Sequence, residues 1–430
     1  MSKTIVVPGS TVPLYEHTDS FYRPYPQASA GLYDPDVTAP VVIGHFLLDP
    51  NTAGEDDMFY IGRQCISKGT ATGRIFVQGT ETNGRQSVGE FNIPALVNTT
   101  NRAAMNVGTN RQGFKRLHTQ FTNMSADFKL AAISYDAVSH PLDPSYVGTG
   151  QLHLGGHSYY SNTLDAYNSA LLRNAAALST FTRYGMFQIS GAARSAGRAV
   201  KLPASWRSSF GGASHLMCGG VGYWPIISRM AVGPTAWPVN FDDMQVSDTP
   251  TLISTTPAMD FPFGPGTQLS DDLQSQLWNH LSAIAGAFIL PNTNTLMCIG
   301  SNLDRRAPYN NPPGGLFICY GASQPSDNGD TSQAYRAYYH QAYANYYWLF
   351  DLQDLADSFG NPSLNPPHMI RPYKHGYWNH STMRSAYYHR IGGAYYDYEQ
   401  NLLVTSVDYG ADSRFGASAP GYEVYDLGTR

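Results

Sequence analysis

The stretch Ile391–Leu427, IGGAYYDYEQNLLVTSVDYGADSRFGASAPGYEVYDL, contains the pattern that decides the fold. An apolar run begins at Gly392 and Gly393, a polar turn follows, and Leu402–Val407 returns as a second run before the third, GYEVYDL. Two runs joined by about four polar residues, with another after a Gly/Ser/Pro loop, predict antiparallel strands of one propeller blade. Because one blade cannot bury both of its faces alone, we expect further blades arranged in a ring.

A second stretch, Ala285–Gly300, repeats this order and aligns without gaps on Gly392–Val407. Both stretches have small residues at the start, an apolar run, a polar turn and a returning apolar run. The matched pairs are Gly286 with Gly393, Ala287 with Ala394, Asn294 with Asn401, and Leu296 with Leu403. We therefore predict an all-β fold, a β-propeller of about six or seven four-stranded blades with one inserted helix. The propeller domain is predicted to cover residues 37–430.

The composition fits many short strands and tight turns. Aromatic residues make up 13% and charged residues 14% of the 430 residues, with 41 glycines and 28 prolines. This profile argues against a helical bundle and against a disordered chain. The net charge of -5 provides no basic surface, so we do not expect nucleic acid as the primary partner.

The sequence contains no recognisable export or membrane signal. The N-terminal segment MSKTIVVPGS lacks a basic region followed by an apolar core, and so does not predict a secretory signal. No run approaches the roughly 20 apolar residues of a membrane span. We therefore expect a protein that is made in a host cytoplasm and ends up in a virion, because virion components are assembled inside a cell and then released.

No motif for a metal, a cofactor or a nucleophile is present. His153 and His157, in HLGGH, do not share one helical face as the histidines of HExxH do. The cysteines show no CxxC spacing and are predicted to be buried free thiols: Cys65, Cys218, Cys298 and Cys319. We predict no metal site, no cofactor and no catalytic residue.

Three segments depart from the strand pattern. Residues 1–36 mix prolines and tyrosines without a period and predict an extended N-terminal arm that contacts a neighbouring subunit. Residues 163–178 have helical propensity, and their structure stays open between helix and other structure. Residues 202–285 predict a loop-rich insertion that ends in the inserted helix, which Ser270 can cap. The apolar residues on one face of this helix are Leu273, Leu277, Trp278, Leu281 and Ile284.

Aromatic side chains supply the candidate binding residues. Aromatic rings stack on sugar faces or partner side chains and present large contact areas with few torsions to freeze. The candidates are Trp206, Trp224 and Trp237 in the loop-rich segment, and Tyr335, Tyr338, Tyr339 and Tyr343 in the aromatic segment 332–350. The alternative for the tyrosines, and for the following Tyr346, Tyr347 and Trp348, is packing between blades.

Several short motifs occur in one order along the chain: GEFNIP (89–94), Ser228-Arg229, Gly233-Pro234, YYWLFD (346–351) and GGAYYD (392–397). In this order they resemble a family of largely uncharacterised bacterial and phage β-propeller-like proteins. The resemblance covers about residues 37–427 and implies a propeller fold. It provides no catalytic signature. Because a secretion signal is lacking, it favours a phage role over an exported surface role.

These observations predict a structural subunit of a phage virion, most simply a tail nozzle, tube or host-attachment protein. We expect a homo-oligomer that contacts other virion proteins and host surface glycan, and not an enzyme. One alternative is a glycan hydrolase or lyase on a propeller scaffold, which needs two opposed carboxylates. Its candidates are Asp271, Asp272, Asp304, Asp351 and Asp354. Another alternative is a bacterial surface or filament-associated binding protein.

Overall fold

The computed structural model describes residues 31–49, 65–80, 86–117, 128–142, 145, 147–158, 169–180, 182–189, 197–221, 232–244, 251–260, 278, 282–303, 316–318, 338–340, 343–383, 390–407 and 420–429. These residues form mainly strands, with two α-helices, α1 (Ala204–Arg207) and α2 (Leu352–Gly360). Within these ranges no helix is long and apolar enough to cross a membrane.

The strands are short and follow one another closely along the chain. In chain order they are β1 (Val41–Leu48), β2 (Ile66–Lys68), β3 (Arg74–Thr80), β4 (Gln86–Asn92), β5 (Val107–Gly108), β6 (Asn110–Arg116), β7 (Phe128–Tyr135), β8 (Leu152–Ser158), β9 (Ser169–Arg173), β10 (Thr182–Ile189), β11 (Gly197–Lys201), β12 (His215–Val221), β13 (Val232–Val239), β14 (Thr251–Ile253), β15 (Met259–Asp260), β16 (Ala283–Ile289), β17 (Thr295–Leu303), β18 (Leu316–Ile318), β19 (Tyr338–His340), β20 (Tyr343–Asp351), β21 (Lys374–Tyr377), β22 (Ile391–Asp397), β23 (Leu402–Val407) and β24 (Gly421–Asp426).

Five sheets of four or five strands, which we call blades 1 to 5, account for nearly all of the described strands. Their strand orders are β2-β3-β4-β6, β7-β8-β9-β10-β14, β11-β12-β13-β15, β16-β17-β20-β21 and β22-β23-β24-β1-β5. The first strands contact one another in the cyclic order β2, β7, β11, β16, β22 and back to β2. The described chain is therefore a β-propeller whose first strands surround a common axis.

The predicted six or seven blades are wrong, because the described part of the chain forms five. Part of the described chain forms elements outside the four-stranded pattern, and these residues add no blade. An example is the two-stranded sheet of β18 and β19, which lies between β17 and β20 in the sequence. Strands β5 and β14 likewise extend two blades to five strands by parallel pairing.

Blade 5 contains both ends of the described chain. Strand β1 pairs antiparallel with β24, from Val41 opposite Asp426 to Phe46 opposite Tyr422. The rings of Phe46 and Tyr422 stack at 4.7 Å. The first strand in sequence thus completes the last blade, and the ring cannot open without breaking this pairing.

One apolar cluster fills each of the five interfaces between neighbouring blades in the described structure. Trp348 and Tyr346 pack between blades 3 and 4, whereas Tyr347 packs between blades 4 and 5. These neighbours along β20 point to opposite faces, as successive residues of a strand do. The aromatic segment therefore packs between blades at these positions, as the alternative from the sequence states.

The repeat that defines the fold is confirmed in its local detail. The hairpins β16–β17 and β22–β23 have the same register, with a β-bulge at the equivalent place in each first strand. The bulges lie between Ile284 and Gly286 and between Ile391 and Gly393. Asn401 in the second hairpin turn has a φ of 56°, a left-handed conformation that asparagine tolerates better than most residues.

Small residues are needed where the first strands approach the axis. A Cβ atom on Gly286 would lie 2.6 Å from the Cβ of Ala394 on the neighbouring blade and 2.7 Å from its carbonyl oxygen. The Gly286 contact explains why small residues recur at the start of the repeat. Close approach also occurs at Gly155, in the second strand of blade 2, where a Cβ atom would lie 2.3 Å from the carbonyl oxygen of Gly197 in the first strand of blade 3.

Two other segments differ from the sequence-based predictions. Residues 202–285 are not only a loop-rich insertion, because β12, β13 and β15 lie within them and belong to blade 3. Glycine and proline within these strands obscured the strand pattern. Residues 169–173, within the segment left open for a helix, form strand β9.

The inserted helix was predicted to end at Ile284, but this residue lies in strand β16. Of the rest of the predicted helix, 270–284, the described residues are 278, 282 and 283. Trp278 is buried against Trp348, with ring centroids 5.2 Å apart. The segment YYWLFDLQDLADS (346–358) predicts a strand that leads into a turn with a short helical piece. The structure confirms this piece as α2, where Asp351 caps the helix by accepting a hydrogen bond from the Gln353 N–H at 2.9 Å.

The end of the predicted N-terminal arm packs on its own ring. Tyr33 is 5% exposed, and its N–H donates to Oγ1 of Thr295 in blade 4 at 3.0 Å. The Tyr373 hydroxyl donates to the Tyr33 carbonyl at 2.8 Å. Residues 31–36 therefore belong to the propeller domain. Residues 1–30, the rest of the predicted arm, lie outside the described residues.

Replacing Gly286 with alanine tests the packing around the axis. We expect Gly286→Ala to lower the free energy of unfolding by about 1–3 kcal/mol, because the new methyl group overlaps backbone and side-chain atoms of blade 5. Gly360→Ala, at the end of α2, is the control, since no atom lies within 4 Å of its Cβ position. Urea unfolding of both variants measures the difference, and equal stabilities would contradict the close approach.

Candidate functional site

A partly enclosed cavity of about 90 Å³ lies where all five first strands meet around the axis. Every blade contributes to its lining: Ser67 and Lys68 from β2, Ser134 and Tyr135 from β7, Arg198 and Lys201 from β11, Phe288 from β16, and Tyr395 and Tyr396 from β22. The loop after β7 adds Asp136 and His140, and the turn after β22 adds Tyr398. The cavity is thus a product of ring closure.

Serine side chains tie neighbouring first strands together at this cavity. The Tyr135 N–H donates to Oγ of Ser67 at 2.9 Å, which links blade 2 to blade 1. The Ala199 N–H donates to Oγ of Ser134 at 3.0 Å, which links blade 3 to blade 2. A first strand has a sheet partner on one edge only, so these hydroxyls satisfy N–H groups on its other edge.

Arg198 spans the axis from blade 3. Its Nη1 donates to the carbonyl of Ile66 in blade 1 at 3.0 Å and to that of Ile133 in blade 2 at 3.5 Å. The residue is 5% exposed, and its Nε and Nη2 are buried without a hydrogen-bond partner among the described residues. Burial lowers the pKa of Arg198, while the neighbouring Cys65 thiol raises it. A guanidinium nevertheless keeps its charge in proteins.

Lys68 closes the ring electrostatically on the other side of the cavity. Its ammonium nitrogen lies 2.5 Å from Oε1 of Glu399 and 3.9 Å from Oδ1 of Asp397. Both carboxylates belong to blade 5, so the contacts join the first blade to the last. The hydrogen bond from Lys68, with a second from the Thr72 hydroxyl, lowers the pKa of the Glu399 carboxyl.

Asp136 is a buried carboxylate at the cavity wall. It accepts hydrogen bonds from the N–H and the hydroxyl of Thr149, both at 2.8 Å. Nε2 of His215 lies 3.6 Å away. Burial alone would raise the pKa of Asp136, but the interactions with His215 and Thr149 outweigh burial and lower the pKa to about 2. The carboxylate is therefore charged at neutral pH.

The groups beside the two ring nitrogens of His215 determine which nitrogen carries the hydrogen. Oγ of Ser214 accepts the Phe241 N–H at 3.0 Å and lies 2.8 Å from Nδ1 of His215. Because the ionised Asp136 carboxylate can only accept a hydrogen bond, the ring hydrogen lies on Nε2, facing Asp136, and Nδ1 accepts the Ser214 hydroxyl hydrogen. Burial lowers the pKa of His215, so the imidazole is neutral at neutral pH.

His140 crosses the cavity mouth from blade 2 towards blade 5. Its ring lies 4.5 Å from the ring of Tyr398, and its Nδ1 accepts the Leu142 N–H at 3.1 Å. Tyr398 is fixed in turn because its hydroxyl donates to the carbonyl of Ile289 in blade 4 at 3.0 Å. Burial and the charge of Lys201 lower the pKa of His140 to about 3. The mouth is therefore formed by neutral, polar aromatic rings.

The cavity provides charges for binding, but its described lining contains no pair of acids for hydrolysis. Asp136 is the one carboxylate among the described residues that line it. A glycosidase needs a general acid with a raised pKa in addition to a base or nucleophile. The pKa of Asp136 is lowered, and so is that of Glu399 near the rim.

Of the sequence-predicted aromatic candidates, Trp206 and Trp237 have described side chains, and neither lines this cavity. Trp237 is 4% exposed and packs between blades 2 and 3, so its predicted contact outside the ring is wrong. Trp206 lies in α1, half-buried against the core. Tyr338 and Tyr339 lie in β19, and Tyr343 begins β20. Trp224 and Tyr335 lie outside the described residues.

The structure also describes some of the carboxylates and cysteines that the sequence analysis considered. Of the carboxylates considered for a hydrolase, Asp351 and Asp354 belong to the start of α2, while Asp271, Asp272 and Asp304 fall outside the described ranges. Cys65, Cys218 and Cys298 are buried free thiols, as predicted, and Cys319 is among the residues not described. In the part of the chain that the structure describes, no group of three or more His, Cys, Asp or Glu could hold a metal ion.

The charged residues of the cavity were missed because they lie far apart in the sequence. Lys68 and Arg198 belong to strands without any recognisable motif, and Asp136 follows a strand in an ordinary polar turn. The cavity residues could be found from the sequence only after the five blades are aligned with one another. The alignment would then show charged residues at or beside the ends of the first strands, next to the axis.

Comparisons with known proteins add little. No protein-family model matches the sequence, and no curated protein matches it. Among solved structures, the chain is similar to a hypothetical protein from Leishmania major, with 11% identity, coverage of 91% of this chain and 92% of that one, and a TM-score of 0.36. It is also similar to the catalytic domain of a GH62 α-L-arabinofuranosidase from Coprinopsis cinerea, with 11% identity, coverage of 89% and 97%, and a TM-score of 0.37. Both TM-scores are low, so neither similarity bears on function.

His153, behind the cavity wall, is completely buried in β8. Its ring packs on Phe241 at 5.9 Å, and neither ring nitrogen has a hydrogen-bond partner among the described residues. Burial, with a smaller contribution from His215, lowers the pKa of His153 to about 3. The folded protein therefore binds fewer protons here than the unfolded chain between about pH 6.5 and pH 3.

We expect this histidine to make the protein less stable in acid. Its contribution is constant above about pH 6.5 and falls by about 1.4 kcal/mol per pH unit as the pH drops towards 3. Urea unfolding between about pH 7 and pH 5 should show a shallower pH dependence for His153→Leu than for the wild type. The exposed His368→Leu is the control, and identical slopes for all three proteins would contradict the assignment.

Proposed function

We propose that this chain is a non-enzymatic structural subunit of a phage tail, and that the cavity on its axis binds glycan on the host surface. The observation that carries the binding role is the composition of the cavity. Tyrosines and charged groups converge there from blades 1, 2, 3 and 5, with one carboxylate among the described lining residues.

The geometry of the cavity suits a polar ligand such as a sugar. Tyrosine rings offer apolar faces with a polar edge, and such rings contact sugars well. Tyr135 and Tyr398, which are half-buried, contribute such faces to the cavity lining, and Asp136 adds a hydrogen-bonding group. Because the side chains are held by contacts between blades, little ordering is required on binding.

The assignment to a phage tail rests on the sequence. The low charge, the aromatic richness and the resemblance to bacterial and phage propeller-like proteins support it. A ring closed by pairing between its two ends is also a rigid body, and this property suits a subunit that must keep its shape within a larger particle.

The two alternatives predict different behaviour. A glycan hydrolase needs a second acid with a raised pKa at the cavity, and the described residues supply only acids with lowered values there. A bacterial surface or filament-associated protein would bind glycan through the same cavity but would be found on cells rather than in virions.

Glycan binding can be tested through Tyr398, which lines the cavity mouth. We expect wild-type protein to bind a subset of bacterial surface glycans on an array, and Tyr398→Ala to bind the best of them about 3- to 10-fold more weakly, because the aromatic face is lost. Tyr398→Phe keeps the face and should retain most of the affinity. Leu364→Ala, at a residue 74% exposed and outside the cavity lining, should bind as the wild type does.

The structural role is tested on purified particles. Mass spectrometry of virions from the phage that carries this gene should detect the chain in several copies per particle, and electron microscopy should show a repeated ring of its 47.1 kDa mass. A chain found only free in the lysate would overturn the virion assignment while leaving glycan binding intact.

A further inference from the structure

We infer that residues 136–142 form a strap across the mouth of the cavity, that His140 holds this strap against Tyr398, and that protonation of His140 releases it. The inference rests on the proposed function in one respect, because it takes the cavity to be the ligand-binding site. Release of the strap then controls the entry of a ligand, and acid favours entry.

The strap begins in blade 2 and reaches three other blades. The ring of His140 lies 4.5 Å from the ring of Tyr398 in blade 5. The side chain of Leu142 packs against the apolar cluster between blades 3 and 4. Five residues of the strap line the cavity: Asp136, Ala137, Ser139, His140 and Pro141. The strap therefore forms one side of the mouth.

The two halves of the strap are held in different ways. At its base, the Asp136 N–H donates to the Gln151 carbonyl at 3.0 Å, and the Gly150 N–H donates to the Asp136 carbonyl at 2.9 Å. Residues 139–142 make no backbone hydrogen bond to a described residue of another blade. Side-chain contacts with the other blades hold this outer half, so it can move without breaking a sheet.

The outer half is folded by a hydrogen bond that requires a neutral imidazole. Nδ1 of His140 accepts the Leu142 N–H at 3.1 Å. An imidazolium carries a hydrogen on both nitrogens and can accept no hydrogen bond. Protonation thus places a new donor opposite the Leu142 N–H, and the hydrogen bond must break. The contact with blade 5 and the contact with blades 3 and 4 are loosened together.

Burial has the largest effect on the pKa of His140 and, with the positive charges that act on it, lowers the pKa to about 3. The charges of Lys201, His215 and Lys68 oppose protonation, whereas those of Asp136 and Glu399 favour it. The titratable groups around His140 thus come from blades 1, 3 and 5 and from the strap: Lys68, Lys201, His215, Tyr398, Glu399 and Asp136.

The released strap exposes His140 to water, where an imidazole has a pKa of about 6.5. Between about pH 6.5 and pH 3 the released state therefore binds a proton that the bound strap does not. Each pH unit in this range shifts the equilibrium about 10-fold towards release. The total shift from about pH 7.5 to pH 5 is about 30-fold.

The competing explanation is that His140 only shapes a fixed turn and that the strap stays in place until the whole ring unfolds. In that case the Leu142 amide exchanges its hydrogen only by global unfolding, as amides in the middle of a blade do. The two explanations therefore differ in how well the Leu142 amide is protected relative to the amides of β17 in blade 4.

The experiment is hydrogen–deuterium exchange of the full chain, followed by mass spectrometry with overlapping peptides that resolve the Leu142 amide. Protection is expressed relative to the intrinsic exchange rate at each pH. We expect the protection of Leu142 to fall roughly 10- to 30-fold between about pH 7.5 and pH 5. The amides of β17 should stay better protected than Leu142 at both pH values, because the strap opens locally.

His140→Asn is the matched variant. An asparagine side chain accepts the N–H two residues further on, as Nδ1 of His140 does here, but it does not titrate. In His140→Asn the protection of Leu142 should change by less than about 3-fold over the same pH range. A pH effect that persists in this variant would overturn the assignment to His140, and so would equal protection of Leu142 and β17 in the wild type.

The contact with Tyr398 is tested at about pH 7.5, where His140 is neutral. Tyr398→Ala removes the ring contact and should lower the protection of Leu142 about 3- to 10-fold. Tyr398→Phe keeps the ring and should behave as the wild type does. Unchanged protection in Tyr398→Ala would show that Tyr398 does not hold the strap.

The exchange experiment uses no ligand, so it separates this inference from the proposed function. A strap released by acid, in a protein that binds no glycan on an array, would support the strap and overturn glycan binding. Glycan binding by a protein whose Leu142 amide is equally protected at both pH values would overturn the strap and leave glycan binding standing.

Discussion

The structure depends on the close approach of five first strands around one axis. A Cβ atom on Gly286, in the first strand of blade 4, would overlap Ala394 in the first strand of blade 5, and a Cβ atom on Gly155, in the second strand of blade 2, would overlap Gly197 in the first strand of blade 3. The small residues fix how near the blades come to one another, and this distance determines whether five apolar interfaces can all be filled. A few residues without side chains thereby set the geometry of the whole ring.

Ring closure also explains why the cavity exists. The two ends of the described chain meet in blade 5 through β1 and β24, and Lys68 joins blade 1 to the carboxylates of blade 5. Once the circle is complete, the ends of all first strands face one another. Residues as distant in the sequence as Ser67 and Tyr398 then line one small space, and contacts between blades hold them in position.

The sequence predicted individual hairpins and a short helix, which depend on residues close together in the chain. The hairpins around Gly286 and Gly393 followed from small residues and turns a few positions apart, and so did α2 after Asp351. The number of blades could not be predicted in this way, because it depends on how many residues lie in connections between the blades. Trp237 was misplaced because glycine and proline around a strand resemble a loop, and only the neighbouring blade reveals that its ring is buried. The cavity required the closed ring itself.

The described cavity residues combine fixed charges with neutral imidazoles. Acid–base catalysis requires a group whose pKa lies near the working pH, so that a proton can be both given and taken. Here Asp136 is held as an anion by Thr149 and His215, while burial keeps His140 and His215 neutral. Arg198 contributes a charge that does not titrate in this range. Asp136 and Arg198 therefore give the cavity one fixed negative and one fixed positive charge near neutral pH.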